Sequence, residues 1–118
     1  MVVVDDDPGV VSALRRTFRD VDFLVWSTTD PQEALDWIRT GEVAVLVADN
    51  QMPVMSGTSL FQLAKSCSPR TARIMLTGHA GEDLVVHARG EGLFELFAKP
   101  WDDGDLRRVV LDRFRDQA

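Results

Sequence analysis

Six polar side chains, each just behind a short apolar run, carry the chemistry this sequence can do: Asp5, Asp6 and Asp7 behind Val2 to Val4, Asp49 behind Val43 to Ala48, Thr77 behind Ala72 to Leu76, and Lys99 behind Phe94 to Ala98. If those runs lie side by side, Asp5, Asp6 and Asp49 meet at one edge and repel one another strongly unless a cation or protons compensate. A hard divalent ion is the natural compensator. Mg²⁺, or Mn²⁺ in its place, takes oxygen ligands and keeps several waters, so two or three carboxylates and a carbonyl suffice and leave space for a phosphate oxygen. Lys99 then offers a positive charge, and the Thr77 hydroxyl a neutral donor, to the remaining oxygens of a phosphoryl group. Together these groups describe a phosphoryl site whose nucleophile is a carboxylate. Asp7, directly ahead of Pro8, reads as a helix cap rather than a ligand.

The elements that must position these groups follow from the pattern around them. Five apolar runs read as strands: Val2 to Val4, Phe23 to Trp26, Val43 to Ala48, Ala72 to Leu76 and Phe94 to Ala98. The third, apolar at every position, suits a strand buried on both faces at the centre of a parallel sheet. Between them lie helical stripes. Val10, Val11, Leu14 and Phe18 form the first, with Arg15, Arg16 and Arg19 on its other face. Asp30, Pro31 and Glu33 announce the second as cap, first-turn proline and capping-box acid, and Gly41 stops it. Leu60, Phe61 and Ala64 form the third, residues 82–89 a fourth, and Leu106, Val109, Val110 and Phe114 a fifth, capped by Asp102 or Asp103. A βα unit repeated five times with right-handed crossovers gives an α/β fold, a doubly wound five-stranded parallel sheet with helices on both faces. Ligands of such sheets bind at the carboxyl ends of the strands, where the six polar residues fall.

Composition bounds the rest. A length of 118 residues with 45% hydrophobic and 27% charged residues suits one compact domain. Thirteen Lys and Arg against nineteen Asp and Glu give a net charge of -6, which repels phosphate backbones and anionic lipid, so neither direct nucleic-acid binding nor a membrane partner is expected. The single cysteine, Cys67, fits a reducing cytoplasm.

The segments Val3-Val4-Asp5-Asp6-Asp7-Pro8, Asp49-Asn50-Gln51-Met52-Pro53-Val54-Met55-Ser56-Gly57, Ile74-Met75-Leu76-Thr77-Gly78 and Lys99-Pro100 resemble, in order and over the whole chain, the receiver domain of two-component response regulators, the CheY-like proteins of flavodoxin-like fold. The resemblance implies Asp49 as phosphoacceptor, Asp5 and Asp6 as the acidic pair that holds Mg²⁺, and the Gln51 backbone carbonyl as a further ligand. It implies that Thr77 and Lys99 engage the phosphoryl group and that the peptide before Pro100 is cis. Gln51, Gly78 and His79 occupy positions that tune how water reaches the phosphoryl group. The donor is then a sensor histidine kinase or a histidine phosphotransfer protein. The responding surface is the face of the helix at 82–89, the fifth strand and the last helix, which controls an output domain or downstream protein and offers a homodimer contact. The chain is expected to be a receiver domain over 1–118, excised from a longer regulator, with no catalysis beyond its own phosphorylation and dephosphorylation. It departs from the pattern at Leu96, where receivers usually carry the aromatic partner of the threonine switch.

Two rival readings use the same residues. A phosphohydrolase resembling the haloacid dehalogenase superfamily takes Asp5 as nucleophile, with Asp7, Thr77, Lys99, Asp102 and Asp103 around it, but leaves the segment from Asp49 to Gly57 without a role. A phosphorylation-independent interaction module on the same fold requires that Leu96 has silenced the switch.

Overall fold

The structure is a computed structural model, and it describes residues 1–78 and 95–117. The helix expected at 82–89, with His79, His87 and Phe94, lies outside the described residues. Those described form β1 (Val2–Val4), α1 (Pro8–Thr17), β2 (Trp26–Thr28), α2 (Pro31–Ile38), β3 (Val45–Asp49), α3 (Gly57–Cys67), β4 (Ala72–Thr77), β5 (Glu95–Ala98) and α4 (Asp103–Gln117). The strands make one parallel sheet in the order β2-β1-β3-β4-β5, so the wholly apolar third strand is central, as its pattern requires.

Alternation along the strands divides the core into two layers. Val2, Val4, Leu46, Ala48 and Met75 pack against Leu35 and Ile38 of α2 and Leu60 and Phe61 of α3. Val3, Val45, Val47, Ile74 and Leu76 pack against Leu14 and Phe18 near α1 and Leu106 and Val110 of α4. Each fully buried Leu, Ile or Phe contributes about 1.5–3 kcal/mol relative to exposure, so both faces of the sheet are held firmly. The strand tips are thereby held in place, and they carry the site.

Helix starts follow the expected caps with two refinements. Asp7 caps α1, its carboxylate accepting from the Gly9 amide at 2.8 Å, and Asp30 caps α2 by accepting from the Gln32 amide at 2.9 Å. The expected capping box at α2 does not form through Glu33, because the Asp30 amide instead donates to Thr28 Oγ1 at 3.0 Å. At α4 the cap is Asp102, which accepts from the Asp105 amide at 2.9 Å, while Asp103 turns away to bond Thr17 and Trp101.

The second strand needs correction. The run Phe23 to Trp26 is not the strand; β2 pairs with β1 only at Trp26, Ser27 and Thr28. Phe23 and Val25 are apolar because they pack beneath the second core layer as a lead-in, and Leu24 between them is left exposed. Likewise β3 begins at Val45 rather than Val43. The Val43 and Ala44 carbonyls are taken by the Thr71 hydroxyl at 2.6 Å and the Ala72 amide at 2.8 Å, ahead of the ladder.

Candidate functional site

Asp5, Asp49 and Lys99 converge where β1, β3 and β5 end. The Lys99 ammonium donates to Asp5 Oδ2 at 2.7 Å and to Asp49 Oδ1 at 3.0 Å. Asp5 is 1% exposed and Asp49 6%, and exposed Asp6 completes a trio of carboxylates whose nearest oxygens all lie within 4.8 Å of one another. The remaining Asp5 oxygen, Oδ1, accepts from the Asp7 amide at 2.9 Å. Burial raises the pKa of Asp5, with Asp49 adding repulsion, and outweighs the bonds from Lys99 and the Asp7 amide that lower it. Burial works against the charge on Lys99, yet its two carboxylate partners overcome it and hold the ammonium above its ordinary pKa. Two of the three carboxylates thus share the ammonium of Lys99.

Backbone bonds hold these groups in register. The Lys99 amide donates to the Thr77 carbonyl at 2.9 Å, tying the ends of β4 and β5 together, and the Lys99-Pro100 peptide is cis, as the resemblance implies. Thr77 is buried at the tip of β4 opposite Ala98, and Gly78 beyond it is exposed. On the other side the Asn50 amide donates to Leu76 and the Asn50 carbonyl accepts from the Gly57 amide at 2.9 Å, which folds residues 50–56 into a closed loop beside Asp49. Gln51 is exposed on that loop and lines an open cleft of about 450 Å³ with Asp6, Asn50 and Met52. Met52 is buried and Met55 packs on the first core layer, so both anchor the loop.

Gly57 plays a part that its place in the motif did not disclose. A Cβ there would sit 2.4 Å from the Asp49 carbonyl oxygen and 2.9 Å from Asn50 Cα, so only glycine lets α3 start against the end of β3. Val54, 86% exposed at the tip of the same loop, was also unforeseen; an apolar residue inside an apolar-looking motif gives no signal that it faces water.

The phosphohydrolase reading loses its parts in this geometry. Asp7 is spent capping α1, Asp102 caps α4, and Asp103 bonds Thr17 Oγ1 at 2.7 Å and the Trp101 indole at 3.0 Å. Asp49, which that reading leaves idle, is the residue Lys99 holds beside Asp5.

Residues 1–111 match the response regulator receiver domain family. The chain belongs to that family. Among curated relatives, the receiver is 26% identical over 117 residues to the phosphoglycerate transport system transcriptional regulatory protein PgtA of Salmonella typhimurium, covering 99% of this chain and 28% of that one. It is 31% identical to the DNA-binding transcriptional regulator NtrC of Proteus hauseri, covering 98% and 25%. The chain therefore spans about a quarter of the length of these relatives. Among solved structures, the signal receiver domain of an HD domain-containing protein from Pseudomonas fluorescens Pf-5 superposes with a TM-score of 0.91 at 26% identity, covering 98% of this chain and 94% of that one. The chemotaxis protein CheY4 of Vibrio cholerae shares the fold with a TM-score of 0.85 at 23% identity, covering 94% of each chain. The protein is a signalling receiver of the two-component kind.

In this receiver Leu96 is half-buried, stands opposite Met75 in the β4–β5 register and packs on the first core layer, whereas Phe97 points to the second. The aromatic side chain next to Leu96 that the structure describes is thus on the opposite face, and Leu96 itself stands two residues before Ala98, the partner of Thr77.

Proposed function

We propose that the receiver accepts a phosphoryl group from the phosphohistidine of a sensor histidine kinase or histidine phosphotransfer protein onto Asp49. A carboxylate oxygen of Asp49 attacks phosphorus, a P–O bond forms, and the P–N bond to the donor imidazole breaks with its electron pair leaving on nitrogen. The observation that carries this reading is the Lys99 ammonium held between Asp5 and Asp49 at 2.7 and 3.0 Å. It offsets part of the charge of the carboxylate pair in the resting state and lies within reach of oxygens added to Asp49.

The donor set also fits a divalent cation: three carboxylates gather within 4.8 Å, more negative charge than one lysine offsets. Asp5, Asp6, Asp49 and the Gln51 carbonyl would hold Mg²⁺, or Mn²⁺, which when bound supplies charge neutralisation for the phosphoryl oxygens. Once Asp49 carries the phosphoryl group as an acyl phosphate, its carboxylate no longer competes for Lys99, and the ammonium and the Thr77 hydroxyl bond the phosphoryl oxygens. That difference between the two states is what biases the surface around β5 and α4. Leu96, two residues before Ala98, the register partner of Thr77, is the side chain through which the change passes to that face. Gln51, Gly78 and His79 set the access of water and hence the lifetime of the acyl phosphate. The receiver catalyses nothing beyond gaining and losing this group.

In the cell the chain acts in the cytoplasm as one module of a longer regulator and directs an output domain, in the same chain or a downstream protein, with homodimerisation through the β5–α4 face as one route. The relatives' fourfold greater length supports the first point. No helix among the described residues is long and apolar enough to cross a membrane. Intact mass spectrometry after incubation with acetyl phosphate tests the core of the reading. A single phosphoryl adduct that needs Mg²⁺ and vanishes in Asp49→Asn is expected; an adduct that survives Asp49→Asn and vanishes in Asp5→Asn overturns it.

A further inference from the structure

A groove of about 470 Å³ runs between the C-terminal half of α1 and residues 21–25, at the end of the sheet away from Asp49. Its position follows from topology. The Met1 amine, at the start of β1, donates to the Leu24 carbonyl at 2.8 Å, whereas Asp49 closes β3, and a five-residue strand spans about 16 Å. Arg15, Arg16 and Arg19 form one wall, and Val21, Phe23 and Leu24 contribute to the apolar side. All three arginines are exposed, and Leu24 is 72% exposed, the larger of the two strongly exposed apolar side chains that the described residues place outside the loop at 50–56.

Two features show that the groove is formed before anything binds. Arg15 is aimed by bonds from Nη1 to Ser27 Oγ at 2.9 Å and to the Val25 carbonyl at 3.4 Å. Phe23 is fixed by stacking on Phe114 of α4, with ring centroids 4.0 Å apart and planes 18° off parallel. Among the described residues Arg19 is engaged only by exposed Asp20 at 4.0 Å, a pairing of little strength. Phe23 and Leu24 also line a second cavity of about 250 Å³ with Met1, Trp26 and Val43, so the apolar surface continues past the arginines.

We propose that this groove docks an acidic amphipathic segment of a partner protein, its carboxylates against the three arginines and its apolar side chains over Phe23 and Leu24. Charge complementarity selects that occupant. The chain carries a net charge of -6, so an acidic partner is repelled by most of the surface and attracted where three arginines cluster, which sets its orientation as well as its place. Nucleic acid would meet the same overall repulsion and has no use for the apolar floor. Because the groove and Asp49 lie at opposite ends of the sheet, a partner can occupy it while a phosphoryl donor holds the other end. The docking does not depend on the phosphoryl chemistry proposed above.

The test is an amide-resolved NMR titration of the 118-residue chain with a synthetic helical peptide of about 15 residues, Leu at i, i+3, i+4 and i+7 and Glu elsewhere. Saturable shifts confined to residues 15–25, weakened at least about tenfold by Arg16→Glu with Arg19→Glu and likewise by Leu24→Asp, are expected. All three substituted residues are exposed, so the variants keep the parent spectrum elsewhere and take up phosphoryl groups at Asp49 as the parent does. Absence of saturable shifts at 15–25 overturns the proposal. So does equal binding by a polyglutamate peptide of the same charge or by an oligothymidylate, either of which would reduce the groove to a general anion patch.

Discussion

Lys99→Met removes the ammonium and keeps an apolar stem of similar length, leaving Asp5 and Asp49 facing each other at 1% and 6% exposure with exposed Asp6 alongside. At 2.7 and 3.0 Å each lost contact is worth about 6 kcal/mol of gross Coulomb attraction at an effective dielectric of about 20. Most of that gain is offset in the parent by desolvation of the ammonium and the carboxylates, so the net loss is far smaller than the sum. Breaking a buried pair by removing one partner costs about 3–5 kcal/mol. The Lys99 side chain is 22% exposed, which places this case at the low end, about 3 kcal/mol and a melting temperature lowered by roughly 10 °C. The pH dependence has a definite sign. Burial raises the pKa of Asp5, and losing Lys99, which lowers it, raises it further. A carboxyl whose folded pKa lies above its unfolded value binds protons more readily when folded, so its state is favoured in acid and loses stability as pH rises through the folded pKa. The deficit of the variant therefore shrinks as the pH falls and widens as it rises. Urea unfolding of both chains with EDTA and with millimolar Mg²⁺ measures it, Mg²⁺ narrowing the gap by standing in for the lost charge. A variant within about 0.5 kcal/mol of the parent in EDTA at neutral pH, or a deficit indifferent to both acid and Mg²⁺, refutes the reasoning.

Gly57→Ala forces a Cβ to within 2.4 Å of the Asp49 carbonyl oxygen, so the loop at 50–56 must shift; the expected result is a loss of about 3 kcal/mol in urea unfolding together with slowed phosphoryl uptake from acetyl phosphate. Trp101→Phe deletes the indole bonds to Thr17 Oγ1 at 3.2 Å and Asp103 Oδ1 at 3.0 Å, and calorimetry should show about 1–2 kcal/mol less stability with the sheet intact by circular dichroism. The Met1 amine is lowered by burial to about 6 from 8.0, so the unfolded chain takes up its proton first as pH falls and stability rises with pH across that interval. Acetylating the amine should flatten that part of the stability profile.

What could be read from sequence was what neighbours along the chain decide. Asp7 and Asp30 cap helices because a short carboxylate ahead of a first-turn proline has orphan amides within reach, and no distant residue competes for them. The apolar third run had to be central, and the polar ends of the other three site-bearing strands had to share its edge once the strands were parallel. The misreadings fall where distant residues compete. Thr28 took the Asp30 amide that Glu33 was expected to bond, and Phe23 and Val25 were apolar for the sake of a layer that includes Phe114, not for a strand. An apolar run records burial, and burial does not say whether the backbone pairs in a ladder.

The same distinction separates the two ends of this molecule. At the Asp49 end the residue types carry the message, since acids with one lysine at strand tips have few other uses and their meeting follows from the topology. At the opposite end Arg15, Arg16 and Arg19 looked like the solvated face of a helix, which is the ordinary fate of such residues. They become a wall only because β2 starts three residues later than its apolar run, so that residues 23–25 stay out of the ladder and Leu24 is turned to solvent beside them. The strand that the sequence pattern misplaces and the groove that it does not announce are therefore one structural fact.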